Sequence, residues 1–231
     1  MPGNHVAEVL TLVAMLFGLF AGHLLAVVIH ETTHAFVRTR YGIATEVHVP
    51  PEIPPASALW RFRIFGVPFL MERRLSALIG RAMAAPWPLP EDLWERLPPL
   101  AYPVVCLSAP ATTLVLGAVP FVLAQRLPVS LAEVFLHGVV LAFWLLGVIN
   151  LLPTSQEGVP SDLQHVLLRS GRENSLPLRI LLWITLIGSS ALIVVFNMVA
   201  PLARVVGLSA PALAGRVLVA IAQHFGGAGH A

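Results

Sequence analysis

Hydrophobic and polar positions divide the chain into four long apolar segments, at residues 6–36, 101–124, 131–152 and 176–199. A helix crosses the hydrocarbon core of a bilayer with roughly 20 apolar residues, so each segment is long enough to span. Residues 203–225 are also apolar, but Arg204, Pro211 and Arg216 interrupt them. That pattern predicts a C-terminal helix lying at the interface or packed on the bundle rather than a fifth span. Residues 43–100 read differently. Proline clusters at Pro50-Pro51, Pro54-Pro55, Pro86 to Pro90 and Pro98-Pro99 exclude a long helix. Trp60-Arg61-Phe62-Arg63-Ile64 alternates with period two, a strand pattern, and Glu46-Val47-His48-Val49 is its expected hairpin partner. Residues 73–84 read as a short amphipathic surface helix. The predicted fold class is an all-α membrane protein with about four transmembrane helices, a C-terminal helix and a small β-hairpin in segment 43–70. It forms a single membrane-embedded domain over residues 1–231.

Composition sharpens this picture. The chain is 57% hydrophobic and only 11% charged, far from a soluble domain. All 14 basic residues are arginine, and no segment forms the basic stripe of a nucleic-acid-binding surface. The single cysteine, Cys106, excludes an internal disulfide and reads as a small buried hydrophobe. With the N-terminus outside, segments 37–100 and 163–179 lie inside and carry eight and three arginines, against Arg126, Arg204 and Arg216 outside. That asymmetry follows the positive-inside rule. The first segment reads as a retained span, because residues 1–5 carry no Arg or Lys and the apolar run exceeds a signal-peptide core.

The first span closes on His30-Glu31-Thr32-Thr33-His34. On a helix the two imidazoles, at i and i+4, share a face and can grip one metal ion, with Glu31 placed as general base on metal-bound water. A chain with nine His and ten Glu is expected to contain this pattern by chance on the order of 0.015 times. Ionisable residues within an apolar span are costly and usually functional. Arg38 follows His34 by four residues, about 6 Å of helix, which sets the motif near the cytoplasmic face.

A catalytic zinc needs a third protein ligand. The chain has two aspartates. Asp92, in an acidic, proline-rich stretch, reads as a solvated helix start. Asp162 follows the third span in a loop on the same side as the metal motif and is the expected ligand, with Glu157 and His165 as competitors. Helix N-capping beside Ser161 is the plainer role for Asp162. His23, two turns before His30, reads as a nearby polar contact rather than a ligand.

An HExxH at the end of a first span, with Asn150-Leu151-Leu152-Pro153 and a downstream aspartate after a later one, resembles the site-2 protease family of intramembrane zinc metalloproteases. Leu107-Ser108-Ala109-Pro110 resembles, in weak form, that family's small-residue element. The resemblance covers the three-span region, about residues 6–168, and leaves about 176–225 as accessory helices. It implies Zn2+ held by His30, His34 and Asp162, Glu31 as catalytic base, and Asn150 and Pro153 as substrate-binding residues. It further implies a transmembrane protein as substrate and a bacterial cell membrane as location. The spacing to the aspartate is longer than in many members, and Leu163 stands where they carry glycine; the Ser-Asp ending resembles a compact bacterial subgroup.

Two other classes compete with an enzyme: a catalytically silent membrane scaffold that retains the metal site, and a metal transporter or sensor. Transport asks for polar residues across several spans, and here the third and fourth offer mainly Glu133, His137 and Asn197. In segment 43–100, the functional alternative to a plain connector is an edge strand that accepts an extended substrate by strand addition.

Overall fold

The computed structural model describes residues 5–49, 59–73, 85–153, 155–156, 159–171, 175–199 and 201. Four helices carry the long apolar segments: α1 (His5–Arg40), α3 (Ala101–Arg126), α4 (Leu131–Asn150) and α6 (Leu176–Val194), the last continued by a π-helical turn at Val195–Val199. All four are long and apolar enough to cross a membrane. Short elements lie between them: strands β1 (Glu46–Val49), β2 (Leu59–Ile64), β3 (Val67–Glu72) and β4 (Ala85–Trp87), helix α2 (Pro90–Arg96), strands β5 (Ser155–Gln156) and β6 (Val159–Pro160), and helix α5 (Asp162–Ser170). The predicted helix at 73–84, the tail helix at 203–225 and Glu157 lie outside the described residues.

α4 is the hub, packed against α1, α3 and α6. Small residues set the closest approach. Gly18 and Gly22 on α1 are four apart, and a Cβ on Gly18 would fall 2.1 Å from the Phe135 carbonyl oxygen of α4. A Cβ on Gly22 would fall 2.6 Å from the Val139 Cα. Only backbone fits there, as in membrane helix pairs that associate through small-residue faces. The outward faces stay apolar: Val13, Phe17, Phe20, Val115, Val119, Leu181 and Ile184 are all exposed. α6 buries none of its described residues. Its attachment is polar and sits in the π turn, where the Asn197 Oδ1 accepts from His137 Nδ1–H of α4 at 3.1 Å. Glu133, one turn before His137, places its Oε1 3.8 Å from His137 Nε2.

Segment 43–100 departs from the expected hairpin. Glu46–Val49 does not pair with Trp60–Ile64. The four strands form one mixed sheet in the order β2-β3-β1-β4, with β1 parallel to β3 and antiparallel to β4. The hairpin partner of β2 is β3, in the register Phe62↔Phe69 and Ile64↔Val67. Its turn uses Phe65 and Gly66, both at positive φ. Period-two patterning marks a strand but carries no information on its neighbour, and β3 reads as a nearly continuous apolar run. The sheet lays Val47, Val67 and Phe69 on Ala35 of α1. The fold is therefore mostly helical with a small mixed sheet, and its span boundaries run slightly past expectation, to Arg40 for α1 and Arg126 for α3, but stop at Asn150 for α4.

Candidate metal centre

Helix geometry puts His30 and His34 one turn apart on α1, facing α3. Both are buried, and their rings meet edge to face with centroids 4.9 Å apart. The third group arrives from α5. After α4 ends at Asn150, the chain folds through the β5–β6 pair, and the Ser161 hydroxyl donates to the Leu152 carbonyl, closing the loop. Ser161 is also the N-cap of α5, accepting from the Gln164 backbone N–H at 3.2 Å. The capping role considered for Asp162 is thus filled by its neighbour, and Asp162, the first residue of α5, turns its carboxylate to α1. Oδ2 lies 3.1 Å from His30 Nε2, and Oδ1 lies 3.1 Å from His34 Nε2.

The remaining ring nitrogens decide what these contacts mean. His34 Nδ1 is 3.0 Å from the Val105 carbonyl oxygen, a group that can only accept. His34 therefore carries its proton on Nδ1. His30 Nδ1 is 3.2 Å from the Thr113 hydroxyl, which itself donates to the Ala109 carbonyl at 2.8 Å. With neutral rings the His34 Nε2 lone pair then faces a carboxylate lone pair, as does that of His30 when Thr113 donates to Ala109, a repulsive arrangement unless a cation lies between them. One ligand atom from each of His30, His34 and Asp162 lies within 4.8 Å of the other two, and the group could hold a metal ion. Imidazoles whose second nitrogen is hydrogen-bonded to fixed acceptors are the usual partners of bound metals. Burial works against ionisation of the Asp162 carboxyl, and positive charge at its contacts, on the His34 and His30 rings, holds that carboxyl below the usual carboxylate range.

Glu31 sits between the two histidines, half-buried, within electrostatic reach of His30, Asp162 and Arg38. Among the described residues no hydrogen bond or ion pair engages its carboxylate, which leaves both oxygens available. Arg38, read from sequence only as a charge beyond the span, is buried at 2% exposure and donates to the carbonyls of Pro86 (3.3 Å) and Pro88 (2.5 Å) beside β4. It fastens the sheet to the helix that carries the metal motif.

The other candidates separate cleanly. His165 is buried on α5 but outside the three-residue group, Asp92 is exposed on α2, and His23 takes no part in the group. Asn150 closes α4 with its amide nitrogen donating to the Leu146 carbonyl at 3.0 Å, and Pro153 is buried in the turn that follows. Cys106 is buried within an apolar cluster around Tyr102 and Val105, as expected. Sequence reasoning missed Thr113 and the Val105 carbonyl. A visible signal for the former was a threonine pair, Thr112-Thr113, inside an apolar span. The chain matches no protein-family model, no curated protein and no solved structure.

Proposed function

We propose that the chain is a zinc-dependent intramembrane endopeptidase that hydrolyses peptide bonds in or near transmembrane segments of other membrane proteins. The observation that carries the reading is the convergence of two imidazole Nε2 atoms and one carboxylate, with the Glu31 carboxylate, without a hydrogen bond or ion pair among the described residues, close by. Two nitrogens and one oxygen, with a fourth position open, are a donor set that fits catalytic zinc. Bound there, zinc would supply Lewis acidity, bringing the pKa of water toward neutrality.

The chain's own residues supply the rest. Glu31 accepts a proton from the attacking water and passes it to the leaving amine, a role that requires a carboxylate free of structural bonds. His30, His34 and Asp162 hold the metal, and the apolar helices around them limit water to the site. A helical substrate hides its carbonyls in its own hydrogen bonds and must unwind to react. Asn150 and Pro153, in the turn that leads to Asp162, are proposed to hold the unwound strand. The orientation proposed is N-terminus outside and metal centre toward the cytoplasm, from the arginine asymmetry.

The test is co-expression with a panel of tagged single-span membrane proteins, comparing wild type with Glu31→Gln and assaying each purified protein for zinc. The expected result is cleavage by wild type, with Glu31→Gln keeping its zinc but losing roughly 10²–10⁴-fold in rate, the usual size of a general-base contribution. Equal cleavage by both proteins refutes the assignment of Glu31. A wild type without zinc refutes the metal centre.

A further inference from the structure

We propose that Thr113, which is not a metal ligand, is a positioning residue that decides which nitrogen of His30 faces the metal. The inference rests on the metal-centre reading above and concerns how that centre is held.

Five threonines in the described helices bond back to the carbonyl four residues earlier: Thr11 to Ala7, Thr32 to Val28, Thr33 to Ile29, Thr39 to Ala35 and Thr113 to Ala109. This is how a hydroxyl satisfies itself inside a helix. It uses the one hydroxyl proton and leaves the oxygen able only to accept. Thr113 alone among these five has that oxygen placed against an imidazole, 3.2 Å from His30 Nδ1, at a position with no solvent exposure. Water therefore offers no alternative partner, and with the Thr113 proton given to Ala109, His30 carries a hydrogen on Nδ1. Its Nε2 lone pair is then committed to the side where Asp162 and His34 Nε2 converge.

The arrangement is built into one face of α3. Val105, Ala109 and Thr113 are spaced four apart; the first gives His34 its acceptor and the third gives His30 its acceptor. Between them, Ala109 is fully buried and has no bulk to hold α1 away. The small-residue segment Leu107 to Pro110 thus gains a role: it lets α3 approach closely enough to fix both rings.

The experiment compares the full chain, purified in detergent, as wild type, Thr113→Val and Thr113→Ser, measuring the dissociation constant for Zn2+ by chelator competition. Valine keeps the shape and removes both hydrogen bonds. Loss of a group that orients a ligand histidine weakens metal binding roughly 10–100-fold, and Thr113→Ser should recover to within about three-fold of wild type. Thr113→Val binding within about two-fold of wild type, or Thr113→Ser as weak as Thr113→Val, overturns the proposal. A second readout needs no variant of Thr113. In metal-free wild type labelled with 15N-histidine, the His30 signals, assigned by their loss in His30→Gln, should show a proton on Nδ1 whatever the state of Nε2; an unprotonated Nδ1 overturns the proposal. Both readouts are independent of proteolysis, so absence of cleavage by wild type would sink the enzymatic reading and leave this one standing.

Discussion

Removing the Asp162 carboxylate gives the sharpest test of the metal centre. Asp162 is the one anionic member of the group, and each of its oxygens lies 3.1 Å from a histidine Nε2. Structural zinc sites with four ligands bind with apparent free energies of about 10–16 kcal/mol, so one ligand is worth roughly 3–4 kcal/mol. At 1.36 kcal/mol per decade that is about a 10²–10³-fold loss of affinity for Asp162→Ala. Linkage turns this into a stability measurement. At free zinc 100 times its dissociation constant, wild type gains about 2.7 kcal/mol. At the same zinc concentration, a variant weakened about 300-fold gains only about 0.2 kcal/mol. Thermal unfolding in detergent with and without zinc should therefore show a clear upward shift for wild type and almost none for Asp162→Ala. A zinc-induced shift of wild-type size in the variant would refute the assignment and move the third ligand to Glu157 or His165.

Two further predictions concern the scaffold. Replacing Asn197 with leucine removes the buried acceptor that His137 Nδ1–H uses and should destabilise the docking of α6 by about 1–3 kcal/mol, read as faster proteolysis of the α5–α6 connection; unchanged proteolysis would refute it. Gly18→Leu forces side-chain atoms onto the Phe135 carbonyl and should cost about 3 kcal/mol or more in unfolding, whereas Gly188→Ala, with nothing within 4 Å, should gain about 0.5–1 kcal/mol; equal effects would refute the close-packed α1–α4 seam.

What the sequence made legible follows from the reach of its signals. Twenty apolar residues in a row imply a span whatever their neighbours are, so all four long helices were found close to their observed limits. Pairing between strands is set by contacts with other strands and with α1, and neither β3 nor β4 has an alternating pattern to announce it. β3 reads Val67-Pro68-Phe69-Leu70-Met71-Glu72, a run of which Val67 and Phe69 pack with Ala35. β4 is three residues inside a proline cluster. The hairpin was therefore expected in the right segment with the wrong partner.

The site divides along the same line. In the group that could hold a metal, His30 and His34 are legible because one helix fixes their spacing, and Asp162 because topology returns the loop after α4 to the same end of the bundle. Thr113, Val105 and Arg38 act across helices, where spacing along the chain says nothing. Arg38 shows what this hides. By sequence it is one arginine of a positive-inside flank, four residues beyond His34. In the fold it is buried, held by two backbone carbonyls next to β4, and Glu31 and Asp162 are the carboxylates whose charge it feels. Burial of a charge is expensive, and here the guanidinium is met by those two carbonyls, with carboxylate charge nearby. The helix that carries the HExxH motif and the sheet are therefore joined through Arg38, by its bonds to the Pro86 and Pro88 carbonyls.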